Sequence, residues 1–171
     1  MKTLIIDKLP RILKNKKRLE TSLKVKITNK GKEVTIDGEA PDEYIAEQVI
    51  EALNFGFPYA AAMSILNEEN FFEIINIKDY THRMDLRSVR ARIIGTSGKT
   101  LKTISEISQC NIELKDNSIG IIGPPENIRL TQSAIIKIIQ GSKQSNAYLM
   151  LEKDKPEPVF DLGLKQVKKK L

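Results

Sequence analysis

Residues 92–100 read Arg-Ile-Ile-Gly-Thr-Ser-Gly-Lys-Thr, which puts two glycines, a lysine and a threonine directly after an apolar pair. A glycine-rich turn running into Gly-Lys-Thr is chemistry for phosphate. The phosphate-binding loop of nucleoside-triphosphate hydrolases needs four residues between its glycines, then Lys and Ser/Thr. Here only Thr96 and Ser97 separate Gly95 from Gly98, and Ile93 stands where the first glycine of that longer loop belongs. The turn is too short to wrap a triphosphate, which disfavours a nucleotide hydrolase. It is long enough to turn sharply and offer bare backbone N–H groups to one phosphodiester, because glycine has no Cβ to obstruct the approach. A helix starting at Gly98 adds its positive end at the same spot.

The flanking residues suit an anionic chain. Arg87, Arg90 and Arg92 precede the turn in DLRSVRARIIG, and Lys99 and Lys102 follow it. Arg87, Arg90 and Ala91 are spaced i, i+3, i+4 and share a helix face. Thr96 and Ser97 carry hydroxyls for further contacts. Ile94, Leu101, Ile104 and Ile112 are candidates for an apolar floor beside the turn, although Ile104 and Ile112 suit a core equally well.

Other chemistries are poorly supplied. The single cysteine, Cys110, excludes a disulfide framework and a cysteine-clustered metal site, and reads as a small buried apolar residue. One histidine, His82, rules out a multi-histidine constellation. No cofactor and no catalysis are expected. There is no Trp, and Phe and Tyr together make 5 % of the chain, so aromatic stacking platforms of the kind used by RRM or OB folds are not expected. No apolar run reaches the roughly 18 residues of a membrane span, and the short apolar stretch at the N-terminus is followed at once by charge. A soluble, cytoplasmic protein without a membrane partner is the natural reading.

Net charge is +6 over 171 residues, and it is segregated. Residues 1–30 hold ten Lys and Arg against two acids, residues 31–80 two Lys against eleven acids, and residues 81–115 seven Lys and Arg against three acids. Basic segments are the electrostatic footprint of a nucleic-acid binder, although a solvated Lys-rich surface has the same composition. Asp42, Glu43, Glu47 and Glu51 form one acidic helix face, either solvated or docked on a basic protein.

The elements that must position the glycine turn are legible as a repeat. Shifted by 85 residues, the chain overlays itself without a gap: Gly38 falls on Gly123, Gly56 on Gly141, Ile27 on Ile112, Val34 on Ile119, Ile36 on Ile121 and Leu53 on Ile138. Residues 25–38 and 110–123 each read as two alternating strands joined by a polar turn. Each pair leads through Pro41 or Pro124-Pro125 into an amphipathic helix that ends at Gly56 or Gly141. Upstream, TLIID at 3–7 and EIINI at 73–77 open the copies as strands, with Ile5 taken as the counterpart of Ile75. Basic helical stretches follow.

Each unit therefore reads strand, helix, helix, strand, strand, helix. The segment that carries the glycine turn is missing from the first copy, which has Arg11, Lys14, Lys16, Lys17 and Arg18 instead. These are expected to act as secondary electrostatic contacts. The boundaries read 1–57 for the first unit, 58–70 for a bridging helix, 71–142 for the second unit and 143–171 for a partly disordered extension.

A βααββα order with Ile-Ile-Gly-x-x-Gly-Lys-Thr joining the two central helices resembles a type I KH domain. The segments GFPYAAAMSILNEENFFEIINIKDY and RIIGTSGKTLKTISEISQCNIEL together resemble the archaeal two-KH proteins related to the eukaryotic partner-of-Nob family. The resemblance implies an α+β fold of two tandem units. It also implies single-stranded RNA, of which a KH groove clamps about four nucleotides with the GxxG loop on the backbone. The expected RNA-binding set is Arg87, Arg90, Arg92, Ile94, Gly95, Thr96, Ser97, Gly98, Lys99, Thr100, Lys102 and Ile112. By the same resemblance, the target is the region near the 3′ end of small-subunit ribosomal RNA, during its maturation. Partners would be a maturation nuclease or an initiation-factor subunit. A protein-docking scaffold with incidental RNA binding is the alternative.

Overall fold

The structure is a computed structural model and describes residues 1–155. The first unit runs β1 (Lys2–Ile5), α1 (Leu9–Lys14), α2 (Lys16–Leu23), β2 (Lys26–Lys30), β3 (Glu33–Asp37) and α3 (Ala40–Phe55). A short helix α4 (Tyr59–Met63) and a 3-10 turn lead into the second unit. That unit runs β4 (Phe71–Asn76), α5 (Leu86–Ile94), α6 (Lys99–Ser108), β5 (Asn111–Lys115), β6 (Ser118–Gly123) and α7 (Pro125–Ile139), followed by α8 (Gln144–Lys153). Each unit has a three-stranded antiparallel sheet with its last strand in the middle, in the orders β1-β3-β2 and β4-β6-β5. Helices cover one face of each sheet.

The hairpins explain why the repeat is so regular. Gly31-Lys32 joins β2 to β3, and Asp116-Asn117 joins β5 to β6. Gly31 and Asp116 both lie at positive φ, 62° and 53°, as two-residue hairpin loops require. Alternation then carries Ile27, Val34 and Ile36 into the first core and Ile112, Ile119 and Ile121 into the second. Beyond each hairpin the units repeat one close approach. A Cβ on Gly38 would lie 2.9 Å from Cγ1 of Val25, and one on Gly123 would lie 2.7 Å from Sγ of Cys110. Burial pushes the Cys110 thiol above its usual titration range, consistent with a packing role.

The strand register corrects the pairing of the opening strands. Leu4 stands opposite Val34, and Ile75 opposite Ile119, so the counterpart of Ile75 is Leu4 and not Ile5. Ile5 is 77 % exposed, while Ile75 is buried. A one-residue slip turns a strand side chain to the other face, and two adjacent isoleucines in LIID give no hint of which is inward.

The units share a joint. On β6, Ile119 and Ile121 face the second unit's own helices, while Ile122 belongs with Phe72 to the core of the first. Phe55, Phe57 and Phe72 form an aromatic cluster with ring centroids 5.7–6.0 Å apart, two of the three pairs edge-to-face. Gly120 allows this contact, since a Cβ there would lie 2.8 Å from Cε2 of Phe57. The bridging segment is therefore packed and not a free tether: Ala61, Ala62 and Ile65 are buried in the first unit's core.

The expected 143–171 extension opens with an ordered helix, α8 (Gln144–Lys153). Helix α8 packs against α6 and α7, and Ala147 and Leu151 are buried in the second unit's core. Their i, i+4 spacing within a polar stretch supplies one narrow apolar stripe. The expectation of disorder for the rest of the tail falls on residues 156–171, which lie outside the described residues.

Candidate nucleic-acid interface

Helix α5 starts at Asp85, whose carboxylate accepts a hydrogen bond from the Ser88 amide at 3.3 Å. It ends at Gly95, whose N–H donates to the Ala91 carbonyl at 2.9 Å while φ turns to 75°. Three successive residues then make the turn. Ser97 lies at φ 54° and ψ 31°, Gly98 at φ 75° and ψ 10°, and the Gly98 N–H donates to the Gly95 carbonyl. Helix α6 departs at Lys99 with no side chain capping its first amides. Those amides point outward with the positive end of the helix behind them.

The two glycines serve different purposes. A Cβ at Gly95 would meet Thr100 Oγ1 at 2.1 Å and the Thr100 backbone N at 2.8 Å, so the loop closes down onto α6. A Cβ at Gly98 would meet nothing within 4 Å. Gly95 is required for internal packing, whereas Gly98 leaves an open approach on the outside of the turn. Thr96, Ser97 and Lys99 are exposed around that opening.

The structure sorts the expected residues into two groups. Arg87, Thr96, Ser97, Lys99 and Lys102 are exposed, Ile94 is 36 % exposed, and Gly95 and Gly98 form the turn. Lys102 lies 3.9 Å from Glu106 one turn along α6. The others are committed inward. Thr100 is 5 % exposed and props the turn from beneath. Ile112 is 8 % exposed within the core, together with fully buried Ile104, so neither forms an open floor. Arg90 is half-buried and donates to the Asp116 carbonyl at 3.3 Å.

Arg92 has the clearest structural assignment. Its guanidinium donates to the carbonyls of Ile138 and Ser142, and Gln144 donates to the Arg92 carbonyl. It therefore caps the C-terminal end of α7 and ties down the start of α8, where orphan carbonyls favour a cation. The sequence showed a third arginine in a row of three. It did not show that an arginine at the last turn of α5 reaches α7.

In the first unit α1 and α2 meet at the single residue Asn15, where the second unit has the four-residue turn. The cations there also divide. Arg11 donates to the Gly56 carbonyl at 2.7 Å and to the Phe57 carbonyl at 3.2 Å, which makes it part of the joint. Arg18 stacks on Tyr59, its guanidinium carbon 4.5 Å from the ring centroid. Lys14 and Lys17 are exposed and Lys16 is half-buried. Among the described residues these three lysines and Arg18 make no ion pair. No helix among the described residues is long and apolar enough to cross a membrane.

Comparison with known proteins agrees with this architecture. A family model for the second KH domain of PNO1, described as a eukaryotic type KH-domain (KH-domain type I), matches residues 71–156. The RNA-binding protein pno1 of Drosophila pseudoobscura pseudoobscura is 34 % identical over 122 residues, 68 % of this chain and 51 % of that protein. The chain spans about half the length of the curated relatives it matches.

A crystal structure of Dim2p from Pyrococcus horikoshii OT3 has a TM-score of 0.82 and 30 % identity, covering 89 % of this chain and 98 % of that one. The corresponding chain in a crystal structure of an a/eIF2alpha–aDim2p–rRNA complex from the same organism has a TM-score of 0.81 and 30 % identity, covering 89 % and 92 %. With two βααββα units, a GxxG turn between α5 and α6, and a family match over the second unit and its added helix, the chain belongs to the KH-domain proteins of the PNO1 type.

Proposed function

We propose that this protein binds single-stranded ribosomal RNA, without catalysis, through the Gly95–Gly98 turn of its second unit, during maturation of the small ribosomal subunit. The observation that carries the proposal is the open outer side of Gly98. The chain there offers uncapped α6 amides, the Thr96 and Ser97 hydroxyls and the Lys99 ammonium to a single phosphodiester, and no side chain fills the approach. Arg87, exposed in the first turn of α5, adds a further cation for the RNA strand. Phosphate contacts fix register and supply affinity, while base edges set the sequence preference.

The half-exposed Ile94 and Leu101 are the apolar residues left to line a groove, because Ile104 and Ile112 belong to the core. Two relatives support the RNA class: the Drosophila protein is an RNA-binding protein, and pno1 of Aspergillus oryzae, 30 % identical over 111 residues that cover 63 % of this chain and 43 % of that protein, is a pre-rRNA-processing protein. The Pyrococcus complex contains rRNA and a/eIF2alpha. It supports the same target here, with an initiation-factor subunit as partner, and the family resemblance adds a maturation nuclease. Binding near the 3′ end of the small-subunit rRNA is tested by ultraviolet crosslinking in cell extract with sequencing of the bound fragments. Reads concentrated at that end are expected. Reads spread evenly over both ribosomal RNAs would overturn the location.

A further inference from the structure

The acidic stretch of this basic chain surrounds an apolar groove. Tyr44 and Ile45 of α3, Ile65 of the 3-10 turn, and Phe71 and Phe72 of β4 line a hollow of about 260 Å³ together with Glu68. Ile65 and Phe72 are buried, while Tyr44 and Phe71 remain 54 % and 44 % exposed. Two large aromatic side chains half in water beside a hollow mark a surface built for contact. We propose that this groove is the docking site of the chain's own C-terminal segment. Phe160 sits between Tyr44 and Phe71, and Lys165, Lys168, Lys169 and Lys170 lie over the acids beside them. Residues 156–171 are outside the described structure, and it is their sequence that fits the groove.

Charge selects the occupant. Among the described residues, no lysine or arginine lines the groove. Glu43 and Glu47 are held by the Met1 amino group and Lys2, but Asp42, Glu68 and Glu69 make no ion pair among the described residues. The field over the groove is therefore negative. The C-terminal segment is its complement. Val159, Phe160, Leu162 and Leu164 supply apolar anchors, and four lysines follow within the next six residues, against two acids, Glu157 and Asp161. An aromatic anchor seated in a hollow, with cations set over carboxylates at the rim, is a common arrangement of a docked peptide.

Position agrees with charge. The start of α8 is tied to the glycine-turn end of the second unit, where Gln144 donates to the Arg92 carbonyl at 3.4 Å. Packed on α6 and α7, α8 leads away from that end. The far end is marked by Asn127 in the first turn of α7, which donates to the Ser108 carbonyl at the last turn of α6. Phe71 stands opposite Gly123, just before α7, so the groove opens at this far end. From Pro156, nine extended residues to Leu164 span at most about 30 Å. A segment tethered so closely meets its groove at an effective concentration of roughly millimolar, so a contact with a dissociation constant of about 0.1 mM between separate molecules is about nine-tenths filled within one chain.

The test uses the full chain. Cys110 is buried, so a thiol introduced by Gln166→Cys takes a nitroxide label selectively. In isotope-labelled protein, the amide signals of Tyr44, Gln48, Asn70 and Phe71 should lose intensity and recover when the nitroxide is reduced, while those of Ser97 and Gly98 keep theirs. Adding Phe160→Ser, which alters no described contact, should return the groove signals to full intensity. Signal loss that persists in Phe160→Ser would overturn the apolar anchor. Loss centred on the Gly95–Gly98 turn, or no loss at the groove, would overturn the docking site and leave the groove to another partner. A mixture of nitroxide-bearing chains with isotope-labelled chains that lack the nitroxide should show no loss. Loss in that mixture would seat the segment of a second copy in the groove and overturn the contact within one chain.

Discussion

Gly95 and Thr100 are locked together: a Cβ on the glycine would fall 2.1 Å from the threonine Oγ1 and 2.7 Å from its Cβ. The outer glycine of the same turn, Gly98, has empty space where its Cβ would stand. Two residues that are identical in the sequence motif therefore fail differently when changed.

Gly95→Ala should destabilise the fold, because it adds a steric clash to a φ of 75°. Gly98→Ala meets no atom and carries only the left-handed strain of about 1–2 kcal/mol. For a protein of this size that corresponds to roughly 2–4 °C of melting temperature per kcal/mol. Binding of single-stranded RNA should fall in both variants. Only Gly98→Ala should lose binding while the melting transition stays near that of the parent. Equal melting temperatures for the two variants would contradict the division of roles.

Arg92 and Arg87 separate in the same way. Removing the Arg92 guanidinium leaves the Ile138 and Ser142 carbonyls without their charged donor. Such bonds contribute about 1.5–3 kcal/mol, so Arg92→Ala should lower the melting temperature and speed proteolysis at the α7–α8 junction. Below its melting transition its RNA affinity should be nearly that of the parent. Arg87→Ala should show the reverse: unchanged melting, weaker RNA binding and a shallower dependence on salt. Thermal melts and titrations at two salt concentrations read both effects.

How much of this was legible follows from what local patterns encode. Alternation in residues 25–38 and 110–123 fixed the strand pairs, because period-two burial is a property of the strand itself. The 85-residue shift showed two units, and the GxxG spacing placed the turn between two helices. Ile104 and Ile112 were ambiguous, since an aliphatic residue suits a groove floor and a core alike. Only tertiary packing decides. The partner of Arg92 lies some 46 residues away, and a long-range side-chain-to-carbonyl bond leaves no periodic trace. Helix α8 carries only two fully buried apolar residues, Ala147 and Leu151, too few to stand out beside the charged tail that follows. The aromatic joint was equally hidden: Phe55, Phe57 and Phe72 look like ordinary apolar positions until the outer face of β6 is found covered by the other unit.

That joint also carries a pH signature. Burial pushes the Glu113 carboxyl above its ordinary value of 4.5, with Arg11 and Lys8 opposing the shift. A carboxyl raised in the folded state is penalised as a carboxylate. The penalty is present above the raised value, fades as pH falls toward 4.5 and is gone below it. Glu113→Gln should therefore melt at a higher temperature than the parent at neutral pH, with the difference closing in acid. A difference that stays constant from neutral to acid pH would contradict the burial of this group.

Whether the Gly95–Gly98 turn holds the backbone of single-stranded RNA is decided by the double variant Thr96→Asp, Ser97→Asp. Both side chains are exposed, where substitutions usually change stability by only about 0.5 kcal/mol. Aspartate also tolerates the left-handed backbone at position 97. Two carboxylates at the mouth of the turn should repel the phosphate and compete for the α6 amides. The measurement is affinity for single-stranded RNA together with melting temperature on the same preparation. Binding should fall by about an order of magnitude or more, with the melting transition retained. Affinity unchanged at unchanged melting temperature would contradict a backbone held by the turn.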